Sequence, residues 1–566
     1  MIRRMWALAL ALGIVAAACT GSGESGEKTS SSPTPPPTDF ASPVAVETAD
    51  EPKGDWLESA CALPPKQLEI LARGYYEGRS PEITIVPKAP NFFGSFTANS
   101  HSGPWDYVQR VPIVFYGPGY IKALGEITPE RTVTSADIAP TIADLVGMEW
   151  PAGRSSSSLT DALVPEADRP TPPKLVLTIA WDGGGRNVLE QWPKQWPNLK
   201  RMVEGGTSFG NAFVGSSPSV TPAIHATIGA GTFPDKHGIV DIPLRIDGEI
   251  VGSWPKSKPS YLAVPTMADL FDRANDNAPL VGMVGDHGWH LGMIGHGSYL
   301  KGGDKDYGIM FSREGDPITN PEHYTLPEYV EEIKGLQEDI HTVDVDDGEA
   351  DGRWMGNDVL DERRLVHETP PATLFQTRIL RELMTKEGFG QDDVPDLLFT
   401  NYKQVDYVGH RFNMLQPEMR EVLRYTDEEL GELEDFLNEF VGEKEWVIAV
   451  TADHGSTPSA LATKAWPIGT QAMLDDISAH FDLPIEELID ETRVTGFWVN
   501  HEGLATNDIS LEDISEFLLD MRIEDNAVAI DELPAGYDKR LDEHIFSAVF
   551  PSEETDRVLE CAGVEL

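Results

Sequence analysis

KLVLTIAWD, residues 174–182, is an apolar run closed by an acid. A strand buried on both faces of a parallel sheet has this character, because neither side meets water. APLVGMVG (278–285), DLLFTNY (396–402) and EWVIAVTAD (445–453) repeat it. Helical patterns lie between these runs: one over 187–204, one starting at about Pro222, and the amphipathic EMREVLRYTDEELGELEDFLNEF over 418–440. Strands alternating with helices predict an α/β fold: a mostly parallel central sheet with helices on both faces. Its ligands belong at the carboxyl ends of the strands.

Moving outward, RVPIVFYGPG predicts a strand over Val111–Tyr116, stopped by Gly117 and Pro118. SADIAPTIADLVGM predicts a helix from near Pro140 to Gly147. KQLEILARGYY reads as an amphipathic helix and EITIVP as a short strand, with order beginning near Cys61. RVTGFWVN and NAVAI, separated by the helical LEDISEFLLDM, predict a smaller α+β cap around 493–530. The chain divides into 1–18, 19–58, 59–168, a core over 169–460, and a cap region with return to the core over 461–566.

Arg3 and Arg4 precede an apolar run from Met5 to Ala18, too short to span a bilayer as a mature helix. It reads as a signal peptide. VAAAC is similar to a bacterial lipoprotein cleavage box, although Leu is commoner three places before the cysteine. The expectation is an exported bacterial protein at the cell surface, anchored by a lipid on Cys19 to the outer face of the cytoplasmic membrane; simple secretion is the alternative. The Ser-, Thr- and Pro-rich residues that follow predict a flexible tether. Cys61 and Cys561 remain, a pair that suggests a disulfide, with two free thiols as the alternative. The 44 basic and 93 acidic residues give a formal charge of -49. Such a field repels nucleic-acid backbones, so no stable nucleic-acid partner is expected. A small anion needs a local positive focus, which metal ions would supply.

Three clusters sit at or just beyond strand ends: Asp182; Asp406 with His410 in QVDYVGHR; and Asp453 with His454 in VTADHGS. Carboxylate oxygen with imidazole nitrogen is a donor set that suits zinc. A second DHG, in GDHGWH (285–290), has no obvious place in that set. In SPSVTPAIHATIGAGTFPDKHGI, Thr221 precedes Pro222, and proline suits a first helical turn. Thr221 is therefore either a helix N-cap or a nucleophile facing a phosphoryl group at a helix N-terminus. A threonine hydroxyl needs a metal to stabilise its alkoxide.

These motifs resemble the alkaline phosphatase superfamily, especially its type I phosphodiesterase/nucleotide pyrophosphatase branch. The resemblance covers roughly 75–160 and 172–460. It implies two divalent metal ions, expected to be Zn2+, and a threonine nucleophile. One ion would be held by Asp182, Thr221, Asp453 and His454, the other by Asp406, His410 and a late histidine. Nothing after Asp453 has the family's pattern for that histidine; NSHSGPWDYVQRVPIVFYGPG near the start does. The domain thus looks circularly permuted, with His101 as the third ligand and the two cysteines near the new ends. Where relatives commonly carry a phosphate-binding asparagine, this chain has Ile242; Arg245, His290 and Lys301 are the candidate replacements.

The resemblance implies hydrolysis of a small phosphate ester through a phosphothreonine, with phosphodiesterase or nucleotide pyrophosphatase first and phosphomonoesterase second. Sulfate or phosphonate hydrolysis and a non-catalytic surface binding protein are lesser alternatives. The segment 282–306, rich in Gly and aromatic residues, either shapes a substrate pocket or is a structural loop.

Overall fold

The computed structural model of the protein describes residues 46–96, 100–346, 348–527 and 533–565. The signal peptide, Cys19 and most of the NAVAI segment lie outside the described residues. A nine-stranded sheet forms the centre. Its order is Pro317–Ile318, Tyr307–Phe311, Val281–Val284, Asp396–Tyr402, Leu175–Trp181, Trp446–Thr451, Ile113–Tyr116, Thr207–Phe209 and Gly125–Ile127. The four strands read first from the sequence lie side by side and run parallel. Side chains alternate between two cores. Val176 and Ala180 face one side with Val447, Ala449, Leu397 and Phe399, while Leu175, Leu177, Ile179 and Trp181 pack on the other.

Ile113–Tyr116 pairs antiparallel with Trp446–Thr451, Ile113 opposite Thr451. Its amino end therefore lies at the carboxyl edge of the parallel strands, so the chain before it reaches the same edge.

A four-stranded antiparallel sheet forms the cap, ordered Ile489–Arg493, Gly496–Val499, Ile83–Pro87 and Phe546–Pro551. The stretch RVTGFWVN is not one strand; it spans a hairpin that turns before Gly496. Ile83–Pro87, placed by sequence in the segment 59–168, belongs to the cap, a pairing across the chain that no local pattern carries. Asn526 ends the helix Ile523–Asn526, so the described start of NAVAI is not strand.

The helix expected over 187–204 is two, Arg186–Gln191 and Pro197–Gly205, because Pro193 and Pro197 cannot continue the hydrogen-bond ladder. Residues 46–58, expected in the tether, include packed chain. Val46 and Ala49 lie against Trp105 and Tyr107, and Asp55 caps the helix Trp56–Cys61. Cys61 and Cys561 form a disulfide with a Cα–Cα distance of 5.8 Å, joining residues 500 apart in sequence. No helix among the described residues is long and apolar enough to cross a membrane.

Candidate metal centre

Three adjacent parallel strands end at one edge, and the residues following each converge there. Asp182 follows Leu175–Trp181; Asp453 and His454 follow Trp446–Thr451; Asp406 and His410 lie on the helix Gln404–Phe412 after Asp396–Tyr402. Four residues apart, Asp406 and His410 share a helix face, and His410 Nε2 lies 3.3 Å from Asp406 Oδ1. Asp182, Asp453 and His454 are fully buried. The antiparallel Ile113–Tyr116 brings His101 to this edge. Its ring stacks on that of His454 with centroids 3.6 Å apart, and its Nε2 is 4.0 Å from Asp406 Oδ1. The sequence-predicted residues thus lie together.

Thr221 opens the helix Thr221–Ala230 but does not cap it; the cap is Val220. Its hydroxyl instead accepts from Lys403 Nζ at 3.0 Å. The same ammonium donates to Asp182 Oδ1 and Asp406 Oδ2, each at 2.8 Å. Sequence reading missed Lys403. Its only signal was a lysine directly after a buried strand and three residues before Asp406, which ordinarily reads as a solvated helix start. Burial works against the Lys403 charge, but the carboxylates of Asp182 and Asp406 outweigh it and hold its pKa above the usual value. Burial likewise disfavours ionised Asp182 and Asp406; the Lys403 ammonium reverses that and holds both below the usual carboxylate range.

The histidines are oriented through their other nitrogens. His101 Nδ1 lies 3.1 Å from the Ser219 carbonyl and His454 Nδ1 lies 2.8 Å from the Gly455 carbonyl, so both Nδ1 donate and both Nε2 turn inward, each offering a lone pair when its ring is neutral. His454 Nε2 lies 3.5 Å from both Asp182 Oδ1 and Asp453 Oδ2. Yet His454 Nε2 and Asp453 Oδ2 are buried without a hydrogen-bond partner among the described residues. At this edge three groups have ligand atoms within 4.8 Å of one another: Asp182, Asp453 and His454; His101, Asp406 and His454; and Asp182, His225 and His290. Orphaned buried donor atoms in oxygen-and-nitrogen sets fit divalent metal ions. Burial and then Asp182 raise Asp453 to about 7, while the Asp453 carboxylate, against the effect of burial, lifts His454 to about 9. In the metal-free protein this edge is short of positive charge.

Beneath the carboxylates, Asn401 Nδ2 donates to Asp182 Oδ2 and to His290 Nε2, both at 3.2 Å. His290 then donates from Nδ1 to His225 Nδ1 at 2.8 Å, which leaves His225 Nε2 protonated, 3.8 Å from Asp453 Oδ2. This chain aims N–H groups at both acids and gives GDHGWH its place. His290 is committed there and is no phosphate donor.

Arg245 does not replace the missing asparagine either. It is buried in ion pairs with Glu82 and Asp490, fastening the core to the cap. Lys301 is exposed and outside the pocket lining. The pocket over Thr221, about 780 Å³, is lined by Ile242, Trp289, Tyr407 and Phe311. Of 282–306, only Asp286–Trp289 reach it. Asp286 accepts from His367 Nε2 at 2.6 Å and from the Tyr407 hydroxyl, fixing one wall.

The family model for type I phosphodiesterase/nucleotide pyrophosphatase matches residues 176–545. Alkaline phosphatase PafA of Elizabethkingia meningoseptica is 21% identical over 405 residues, 61% of this chain and 72% of that protein. Alkaline phosphatase PhoV of Synechococcus elongatus is 23% identical over 334 residues, 50% of this chain and 59% of that one. Alkaline phosphatase PhoK of Sphingomonas sp is 24% identical over 315 residues, 50% of this chain and 56% of that one. The chain therefore spans less than two thirds of PhoV and PhoK. The crystal structure of wild-type PafA matches with a TM-score of 0.53 at 18% identity, covering 67% of this chain and 84% of that one, a likeness of fold.

Proposed function

Because the chain belongs to the type I phosphodiesterase/nucleotide pyrophosphatase family, we propose that it cleaves small phosphodiesters through attack by Thr221. The family places it among metal-dependent phosphoester hydrolases; the nucleophile and the diester preference are our reading. The observation that carries it is Thr221 Oγ1, excused from capping its helix and held by Lys403 amid Asp182 and Asp406.

In this reading Asp182, Asp453 and His454 hold one ion beside Thr221, and Asp406, His410 and His101 hold the other. The ions, Zn2+ by the nature of the donors, supply positive charge that favours the threonine alkoxide and balances charge on the phosphoryl group. Thr221 Oγ1 forms a bond to phosphorus as one ester oxygen leaves with its alcohol; water then attacks the phosphorus, which still carries the second substituent, breaking the Thr221 Oγ1–phosphorus bond and releasing a phosphate monoester. Pro222 has no N–H, and those of Ala223 and Ile224 both go to the Val220 carbonyl. The Thr221 N–H is thus the first-turn donor left for a phosphoryl oxygen.

A diester is favoured because the pocket offers apolar Ile242, Trp289 and Tyr407 to a second substituent. Two of its arginines, Arg364 and Arg411, are already paired with Glu368, which suits a monoanion better than a dianion. The names of PafA, PhoV and PhoK favour phosphomonoesters as the second reading. Turnover of a bis-aryl phosphate and an aryl phosphate by the metal-loaded protein decides between them, the diester being the faster. Thr221→Ala is expected to lose about 10³-fold or more in kcat while keeping its metal. Turnover of neither ester, or full turnover by the variant, overturns the proposal.

Circular permutation belongs to the same reading, supported by His101 at the catalytic edge and by the joined ends. So does the lipid on Cys19, which mass spectrometry of the mature N-terminus would test.

A further inference from the structure

A second group of acids lies outside the Thr221 pocket. Asp272 is on the helix Met267–Ala274, and Asp304 and Asp306 are in the loop entering the strand Tyr307–Phe311. One carboxylate oxygen from each lies within 4.8 Å of the others. Asp272 is 4% exposed and Asp306 7%. Clustered surface acids are ordinary; buried ones without partners are not. Among the described residues Asp272 Oδ1 is buried without a hydrogen-bond partner, and the charges acting on the buried Asp306 carboxyl are those of other acids, Asp269, Asp272 and Asp304.

The lysine within the loop is turned elsewhere. Lys305, between two of the acids, sends its ammonium to the Pro321 carbonyl at 2.6 Å. Asp269, on the same helix, is engaged separately: it accepts from the Thr266 N–H at 2.7 Å and pairs with His296 at 2.7 Å. Burial, followed by the charges of Asp269, Asp272 and Asp304, pushes the Asp306 carboxyl well above its usual range.

We infer that Asp272, Asp304 and Asp306 form a binding site for a hard divalent cation, Ca2+, separate from the proposed catalytic ions. The donors are all carboxylate oxygen, without imidazole or thiolate, which selects a hard ion over zinc. Asp304 is exposed, so waters can complete the six to eight oxygens that Ca2+ takes. The ion ties the helix to the strand Tyr307–Phe311, whose far end supplies Phe311, Ser312 and Arg313 to the pocket lining. The site thereby braces the pocket wall without touching substrate.

The test uses the full chain, stripped with chelator, reloaded with Zn2+ and then titrated with Ca2+ by calorimetry and thermal melting. One Ca2+ per chain is expected, raising Tm by several degrees at saturation. Asp306→Asn abolishes both the heat and the shift, while its Ca2+-free form melts no lower than the parent, because the amide replaces a carboxyl whose charged form burial already disfavours. Asp304→Asn, at an exposed position, weakens Ca2+ binding by about tenfold or more and keeps the proposal testable if the buried variant does not fold. Thr221→Ala retains the full response. No Ca2+ heat in the parent, or an unchanged response in both Asp variants, overturns the assignment.

Discussion

Lys403 Nζ lies 3.0 Å from Thr221 Oγ1 while donating to Asp182 and Asp406, so one ammonium holds the hydroxyl and two buried acids. Removing it without metal leaves both carboxylates uncompensated. Lys403→Met is expected to destabilise the chelated protein by about 3–5 kcal/mol. Bound ions supply the same charge, so the loss in the metal-loaded protein should be clearly smaller. Denaturant melts with and without chelator measure both; an equal loss in the two states would reduce Lys403 to a packing role.

His101→Ala should lower bound metal from two ions per chain to one. Affinity for the second ion is expected to fall by about 100-fold or more, since even residues that only orient ligands matter by about 10–100-fold. Metal analysis after dialysis reads this directly. Two retained ions would remove His101 from the site and weaken the permuted reading.

Ile242→Asn tests the missing donor. An oxyanion donor is worth about 10²–10³ in kcat where evolved, so a donor restored into an unadapted pocket should give about tenfold. The gain should be larger for an aryl phosphate monoester than for a diester, read as the ratio of kcat/KM values. An unchanged ratio would show that Ile242 does not face the phosphoryl group.

Acid should destabilise the fold through His237, which is not among the candidate metal ligands. It is fully buried, receives the Ile239 N–H at Nδ1 and lies 3.0 Å from Thr227 Oγ1 through Nε2. Burial, reinforced by Arg154 and Arg79, lowers its pKa to about 3. The folded state therefore binds fewer protons than the unfolded state below about pH 6.5, and stability falls as pH drops from there toward 3. The slope is about 1.4 kcal/mol per pH unit at its steepest. His237→Gln should flatten the urea-midpoint profile over that window, and an unaltered slope would contradict the assignment.

Strands whose environment is uniform were readable: DLLFTNY matches Asp396–Tyr402, buried along its whole length. The cap was readable only in outline, since Ile83–Pro87 pairs with Phe546–Pro551 across almost the whole chain. Side chains at the metal centre declared themselves because Asp and His at strand ends are unusual together. Lys403 did not, since its meaning depends on burial by Asp182 and Thr221, which lie far back in sequence. His225 and His290 likewise matter through a contact between separate elements, and neither has a neighbour in the chain that announces it.

The bridge between Cys61 and Cys561 makes everything between them a closed covalent circle. A single proteolytic cut in any loop of that circle opens it without shedding a fragment. Two cuts are required before any piece is free to leave, and on a gel run without reductant a once-nicked molecule keeps its full mass.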